Sequence, residues 1–205
     1  MSALKTPQPS FHYEKLASPI LILGAAHTGK SQLASKILNP EKKTIVFGTA
    51  DPKETAFKQR ISLLKSHRPA NWTTYEENHK VTELLKQLDE KCEQVLIDSL
   101  NQWVASRILA GVTKYSIAQL EEQITHETDT IIKALANCPA KKIVIVSSEV
   151  ASGVTPPGPI PRLFRELTSR VNCRFAAMAA SVVMVAAGIP LLIKQEETKT
   201  KSHHK

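Results

Sequence analysis

The chain has 205 residues, 42% hydrophobic and 22% charged, which is one ordinary domain with a buried core and excludes wholesale disorder. Its formal charge is +8; residues 194–205 bring four Lys against two Glu and residues 1–17 two Lys against one Glu, so +3 is terminal and +5 remains on the body. With 5% aromatic residues and no recognised nucleic-acid motif, that ordinary body charge argues against a nucleic-acid partner.

Residues 1–17 read as a flexible N-terminal extension without a signal-peptide apolar stretch, so the cytoplasm is the expected compartment. Pro19–Leu23 (PILIL) is the first β-rich apolar run, and the segment KSQLASKIL from Lys30 has helical spacing. Thr44–Phe47 (TIVF), Gln94–Asp98 (QVLID) and Lys142–Ser147 (KIVIVS) are further short strands. Between the last two, Ile117, Leu120, Ile124, Ile131 and Leu135 mark one face of a helix over residues 116–137. Thr155–Pro161 (TPPGPIP) holds four prolines and is expected to be a loop.

Phe175–Ile193 is a 19-residue run without a charge, close to membrane-spanning length. Gly188-Ile189-Pro190 interrupts it, and it divides better into a helix end (FAAMAA), a buried strand (VVMVAA), a Gly-Pro turn and a short last strand (LLI). No membrane span is expected, and residues 195–205 form a disordered basic tail. Strands alternating with helices give an α/β fold: a P-loop NTPase-like three-layer domain over residues 18–194, with a mostly parallel central sheet and a short C-terminal antiparallel strand pair. Cys92, Cys138 and Cys173 are odd in number and scattered, which suggests neither a disulfide framework nor a zinc site.

Gly24-Ala25-Ala26-His27-Thr28-Gly29-Lys30-Ser31 matches the phosphate-binding pattern G-x-x-x-x-G-K-[ST], with a strand before it and a helix after it. Glycines let the backbone turn and present N–H groups to phosphate, Lys30 reaches the β- and γ-phosphates, and the Ser31 hydroxyl ligates Mg²⁺. The loop with Gln32 is therefore the expected nucleotide site. Asp98, which closes the run VLID, is the candidate metal-organising carboxylate. Its plainer role is an N-cap for the helix beginning at Ser99-Leu100, and the two roles are compatible.

Five stretches together resemble the adenosylcobinamide kinase/adenosylcobinamide-phosphate guanylyltransferase family. GAAHTGKS is similar to its GGARSGKS, Arg60–Glu76 to its R-I-x-x-H…R-P-A-x-W-x-T-x-E block, and Ile97–Trp103 to its D-C-L-T-x-W segment. Ser148–Pro156 resembles NEVGxGIVP, and Arg162–Ala176 resembles R-x-F-R-D-x-x-G-x-x-N-Q-x-x-A with Asn172 retained. The likeness spans roughly residues 19–194 in order.

The resemblance implies a GTP- or ATP-dependent kinase acting with Mg²⁺ on a corrinoid small molecule, then GMP transfer through a histidine, in a homo-oligomer (a trimer by family resemblance). The family's histidine position is Leu64 here, which cannot be a nucleophile. His67, three residues on, is the nearest substitute acceptor; Pro69 places it at a helix end, where a capping or phosphate-steering role competes. The expectation is thus phosphorylation of adenosylcobinamide with the guanylyl step impaired or rerouted, and the alternative is a non-catalytic nucleotide-binding relative. Glu54 keeps one of the family's two loop carboxylates and Glu149 closes a strand end; both are candidate nucleotide-site residues, with a solvent-facing role equally open for Glu149. His27 stands where the family has arginine and Ala25 where it has glycine. Trp72 and Trp103 suit either stacking on a ligand or the core.

Overall fold

The computed structural model describes residues 12–49, 68–76 and 80–196. Seven strands form one sheet in the order β3-β2-β4-β5-β1-β6-β7: β1 Ile20–Gly24, β2 Thr44–Gly48, β3 Trp72–Glu76, β4 Gln94–Asp98, β5 Lys142–Val146, β6 Ser181–Ala186 and β7 Ile189–Gln195. The first six in that order run parallel, and β7 returns antiparallel along β6. The expected α/β architecture with its C-terminal antiparallel pair is what the chain adopts.

The continuous apolar runs follow from burial on both faces. Ile20, Ile22, Val46, Leu96, Val144 and Val183 pack with Leu33, Ala34 and Ile37 of helix α1, Lys30–Ile37. The residues between them, among them Leu21, Phe47, Val95, Ile97, Ile145 and Val182, form a larger cluster on the opposite face. That face is covered by α2 (Val81–Lys86), α3 (Leu100–Gly111), α4 (Ile117–Ala136) and α5 (Pro159–Met178). Trp72 and Trp103 are both buried core residues, on opposite faces of the sheet.

Helix α4 begins where the pattern places it, with Ser116 and Gln119 closing a reciprocal capping box. Asp98 is not the cap of α3, because Ser99 occupies that position.

Two sequence expectations change. The loop over residues 155–161 ends early: Pro159 and Pro161 lie in the first turn of α5, where a missing N–H leaves no bond unmade and the fixed φ favours the helix. Strand β3 is not among the apolar runs, because only alternate residues of WTTYE are shielded. It ends the strand order beside β2, and a one-sided strand of β-branched and aromatic residues carries no continuous hydrophobic signal.

Residues 12–17, placed by the sequence in the extension, include a short 3-10 turn, Tyr13–Lys15, and a buried Leu16. The Leu16 carbonyl accepts from Lys142 Nζ at 2.9 Å. Among the described residues no helix is long and apolar enough to cross a membrane; Phe175–Ile193 is the end of α5, then β6, a turn and most of β7.

Candidate functional site

The C-terminal ends of the parallel strands meet on one edge of the sheet, where open α/β folds gather ligands. Gly24 ends β1 with φ 153°, and a side chain there would run into the Val185 carbonyl and stand 2.9 Å from Thr28 Oγ1. Only glycine fits that close approach. The loop closes on itself, with Thr28 Oγ1 donating to the Ala25 carbonyl at 2.9 Å, and Gly29 opens α1 in the left-handed region. The N-terminal N–H groups of α1 are thus turned toward the loop, a ready anion seat.

Lys30 is 9% exposed, and its ammonium donates to the Ala25 carbonyl at 2.6 Å, so the charge is held inside the loop's curve. Ser31 Oγ donates to Asp98 Oδ1 at 3.1 Å across 67 residues of sequence. The two residues assigned from sequence to one metal therefore meet in space. His27, at φ 60°, and Ala25 and Ala26 are exposed on the outer rim of the loop. A cavity of about 430 Å³ opens beside it, lined by His27, Gln32, Leu33, Lys36, Val185 and Pro190 among others.

Asp98 is fixed by a residue the sequence gave no reason to single out. Thr49 follows β2, and its N–H donates to the Asp98 carbonyl at 3.2 Å. The Thr49 hydroxyl accepts from Ser99 N–H at 2.9 Å and donates to the Ser99 carbonyl at 2.5 Å, all in a buried setting. Gly48 pairs with both Glu76 and Asp98 in the sheet register. A side chain at Gly48 would stand 3.1 Å from Glu76 Oε2, so the bare backbone lets the Glu76 carboxylate lie over β2.

Arg68 donates to Thr74 Oγ1 at 3.0 Å and lies in the field of Asp98 and Glu76. Burial, the larger effect, lowers its pKa, while the two carboxylates oppose that shift. Arg68 and Glu76 fall inside the Arg60–Glu76 stretch, which was the one signal for them. Glu54 and His67 lie outside the described residues, as does Leu64.

Glu149 sits directly beyond β5, and its N–H donates to the Gly24 carbonyl at 3.0 Å. Its carboxylate turns back on its own loop, accepting from Ala151 N–H at 2.7 Å. The preceding peptide is held from two helices: Ser148 N–H donates to Asn101 Oδ1 at 3.1 Å, and Asn172 Nδ2 donates to the Ser148 carbonyl at 3.0 Å. Asn172 Oδ1 and the Ser147 hydroxyl are buried without a hydrogen-bond partner at the same strand end.

A family model described as "CobU: Cobinamide kinase / cobinamide phosphate guanyltransferase" matches residues 20–193. The "Bifunctional adenosylcobalamin biosynthesis protein CobU" of Salmonella typhimurium is 30% identical over 85% of this chain and 99% of its own length. The "Bifunctional adenosylcobalamin biosynthesis protein CobP" of Pseudomonas aeruginosa is 27% identical over 86% of this chain and 97% of its own. Among solved structures, an ATPase from the type III secretion system of pathogenic bacteria aligns over 82% of this chain and 50% of that one, at 11% identity and a TM-score of 0.46.

Proposed function

The chain belongs to the cobinamide kinase/cobinamide phosphate guanyltransferase family, and on that footing we propose that it transfers the γ-phosphoryl group of GTP or ATP to the aminopropanol hydroxyl of adenosylcobinamide. The observation that carries this reading is the meeting of Lys30, Ser31 and Asp98 at the ends of β1 and β4. Phosphoryl transfer asks mainly for positioning and for positive charge against the developing oxyanions. Lys30 and the N–H groups opening α1 supply that charge. The nucleoside half has room in the cavity between α1 and the β6–β7 turn, with the aliphatic stem of Lys36 on one side and Pro190 on the other.

Two hard oxygen donors side by side, with phosphate oxygens completing the shell, suit Mg²⁺, which keeps few protein ligands. Ser31 Oγ and Asp98 Oδ1 would hold it, and Mg²⁺ would neutralise charge on the β- and γ-phosphates. Thr49 keeps the Asp98 peptide in place for that task.

The second family step is impaired in this reading. Leu64 has no lone pair to attack an α-phosphorus, which leaves His67 as the substitute acceptor. The protein works as a soluble homo-oligomer, a trimer on the family pattern.

Mass spectrometry of adenosylcobinamide incubated with the protein, Mg²⁺ and GTP or ATP tests the proposal. A phosphorylated corrinoid that goes no further is the expected product. A GDP-linked product would show guanylyl transfer intact, and loss of retained α-label in His67→Ala would then identify the acceptor. An unchanged corrinoid from protein that still binds nucleotide would overturn the kinase reading in favour of a non-catalytic relative.

A further inference from the structure

A second basic cavity lies away from the phosphate loop, on the outer face of α5. It encloses about 410 Å³ between that helix and the loop following Glu149, lined by Thr155, Arg162, Arg165, Glu166, Ser169 and Arg170 among others. The helix residues are spaced i, i+3, i+4, i+7 and i+8, so they form one stripe beside the buried stripe of Leu163, Leu167 and Val171.

The charges in this cavity are unevenly matched. Arg170 is paired with Glu121 at 3.1 Å. Arg162 and Arg165 have no carboxylate within 4.0 Å among the described residues. Their donors go to neutral acceptors on the loop: Arg162 Nε to the Pro156 carbonyl at 3.2 Å, Arg165 Nη1 to Thr155 Oγ1 at 2.6 Å, and Arg165 Nη2 to the Ala151 carbonyl. Each guanidinium has five N–H donors in a planar fork, so most of Arg162's fork and part of Arg165's remain available. Glu166 is the one carboxylate in the wall, against two unmatched guanidinium groups. Arg162 lies in the first turn of α5, where the helix dipole adds positive potential.

We propose that this cavity is a second anion site, which seats the phosphate of a phosphate-bearing reactant separately from the nucleotide held at the P-loop. Paired arginines match a phosphate bidentately, and the cavity has room for the group attached to it. The proposal rests on the kinase reading only in giving the site a purpose: a kinase that holds a nucleotide and forms a phosphate ester has two phosphate-bearing molecules to seat. The loop from Glu149 to Gly158 joins the two seats, since its first N–H is bonded to Gly24 and its far part is held by Arg162 and Arg165.

The test uses the full chain with Lys30→Ala, which blanks the P-loop, and isothermal titration with inorganic phosphate, 1-amino-2-propanol O-phosphate and GDP. Lys30→Ala is expected to retain binding of inorganic phosphate and of the phosphomonoester. Adding Arg162→Ala should weaken that binding at least tenfold. Arg162 is exposed and makes one loop contact, so this variant folds even where Arg165→Gln loosens the loop. If GDP binding in the Lys30→Ala background is the only one that falls, the site belongs to the nucleotide and the proposal is overturned. If no probe binds Lys30→Ala, or Arg162→Ala changes none of them, the second site does not exist. Wild-type turnover of adenosylcobinamide in that same case would leave the kinase reading untouched.

Discussion

The two ends of the sheet are built on opposite principles. At the N-terminal end the described connections are held by hydrogen bonds, although the buried Trp72 Nε1 there has no partner among the described residues. Gln94 is 4% exposed, and its side chain accepts from Asn39 N–H and donates to the Asn39 carbonyl and Thr44 Oγ1, at 2.9, 2.8 and 3.0 Å. The Glu93 carbonyl takes both Lys141 and Lys142 N–H groups, and the Pro19 carbonyl takes those of Ala180 and Ser181. At the C-terminal end, glycines bring backbones close, a lysine is held indoors, and carboxylates from β3 and β4 face one arginine. Buried polar groups there are left without partners, as Ser147 and Asn172 show. One end carries stability, and the other holds charge in readiness at some cost to it.

The sharpest way to break this comparison is at Lys30. Removing the ammonium in Lys30→Ala should lower nucleotide-dependent turnover by about 10²–10³-fold or more, the scale of a lost oxyanion contact. Thermal stability should hardly change, because holding an ammonium out of water costs stability that its hydrogen bonds only offset. A large fall in melting temperature with turnover preserved would reverse the roles of the two ends.

Asp98→Asn comes next. It keeps the shape and a hydrogen bond for Ser31 but removes the negative charge, so turnover should fall about 10²-fold at ordinary Mg²⁺ concentrations. Raised Mg²⁺ should restore part of it. The same substitution gives up the attraction of Asp98 for Arg68 but also the cost of holding a carboxylate at the strand end, so the melting temperature should stay about level; a clear loss of stability would make Asp98 a structural residue.

How much of this was legible depends on the range of the interaction. Gly24–Ser31 could be read directly because the phosphate loop is made by eight consecutive residues with a strand before and a helix after. The strands β1, β4 and β5 could be read because burial on both faces leaves an unbroken apolar run. Thr49 could not: its work is to hold a peptide 50 residues away, and an isolated threonine after a strand announces nothing. Gly48 is likewise an ordinary strand residue until β3 is set beside it, and β3 itself was hidden by its one-sided burial. Arg162 and Arg165 were visible as a family-like stretch, but that they line a cavity with too few carboxylates is a fact of packing.

At the other end, Gln94→Leu tests the structural half of the comparison. It leaves two backbone groups of Asn39 without their partner and takes one donor from the Thr44 hydroxyl, which still donates to the Lys42 carbonyl; this should cost about 2 kcal/mol after water reaches the exposed Asn39. For a domain of this size that is roughly a 4–8 °C fall in melting temperature. Nucleotide affinity of the folded fraction should stay within about twofold, since the change lies a strand's length from the phosphate loop. A loss of affinity matching the loss of stability would mean that the two ends are coupled.

The smallest effect is an alkaline one, and it separates two groups at the quiet end. Burial raises the Cys92 thiol above its ordinary value near 9.0, so the native state holds a proton that the unfolded chain gives up. Stability from this group is complete below the ordinary thiol value and is lost as pH climbs through the raised one. Burial lowers Lys142 below 10.5, so in the same range the unfolded chain binds the extra proton and stability rises with pH. The two trends oppose each other in the wild type. Urea melts at pH 7.5 and 9.5 should therefore show a modest net change, whereas Cys92→Ala, less stable at both, should gain relative to wild type on going to pH 9.5. The thiol reagent rate follows the same geometry, with exposed Cys173 reacting first and buried Cys92 last. If Cys92→Ala and wild type keep a constant difference across that range, burial does not set the thiol's ionisation, and the N-terminal edge is more open to water than its hydrogen bonds imply.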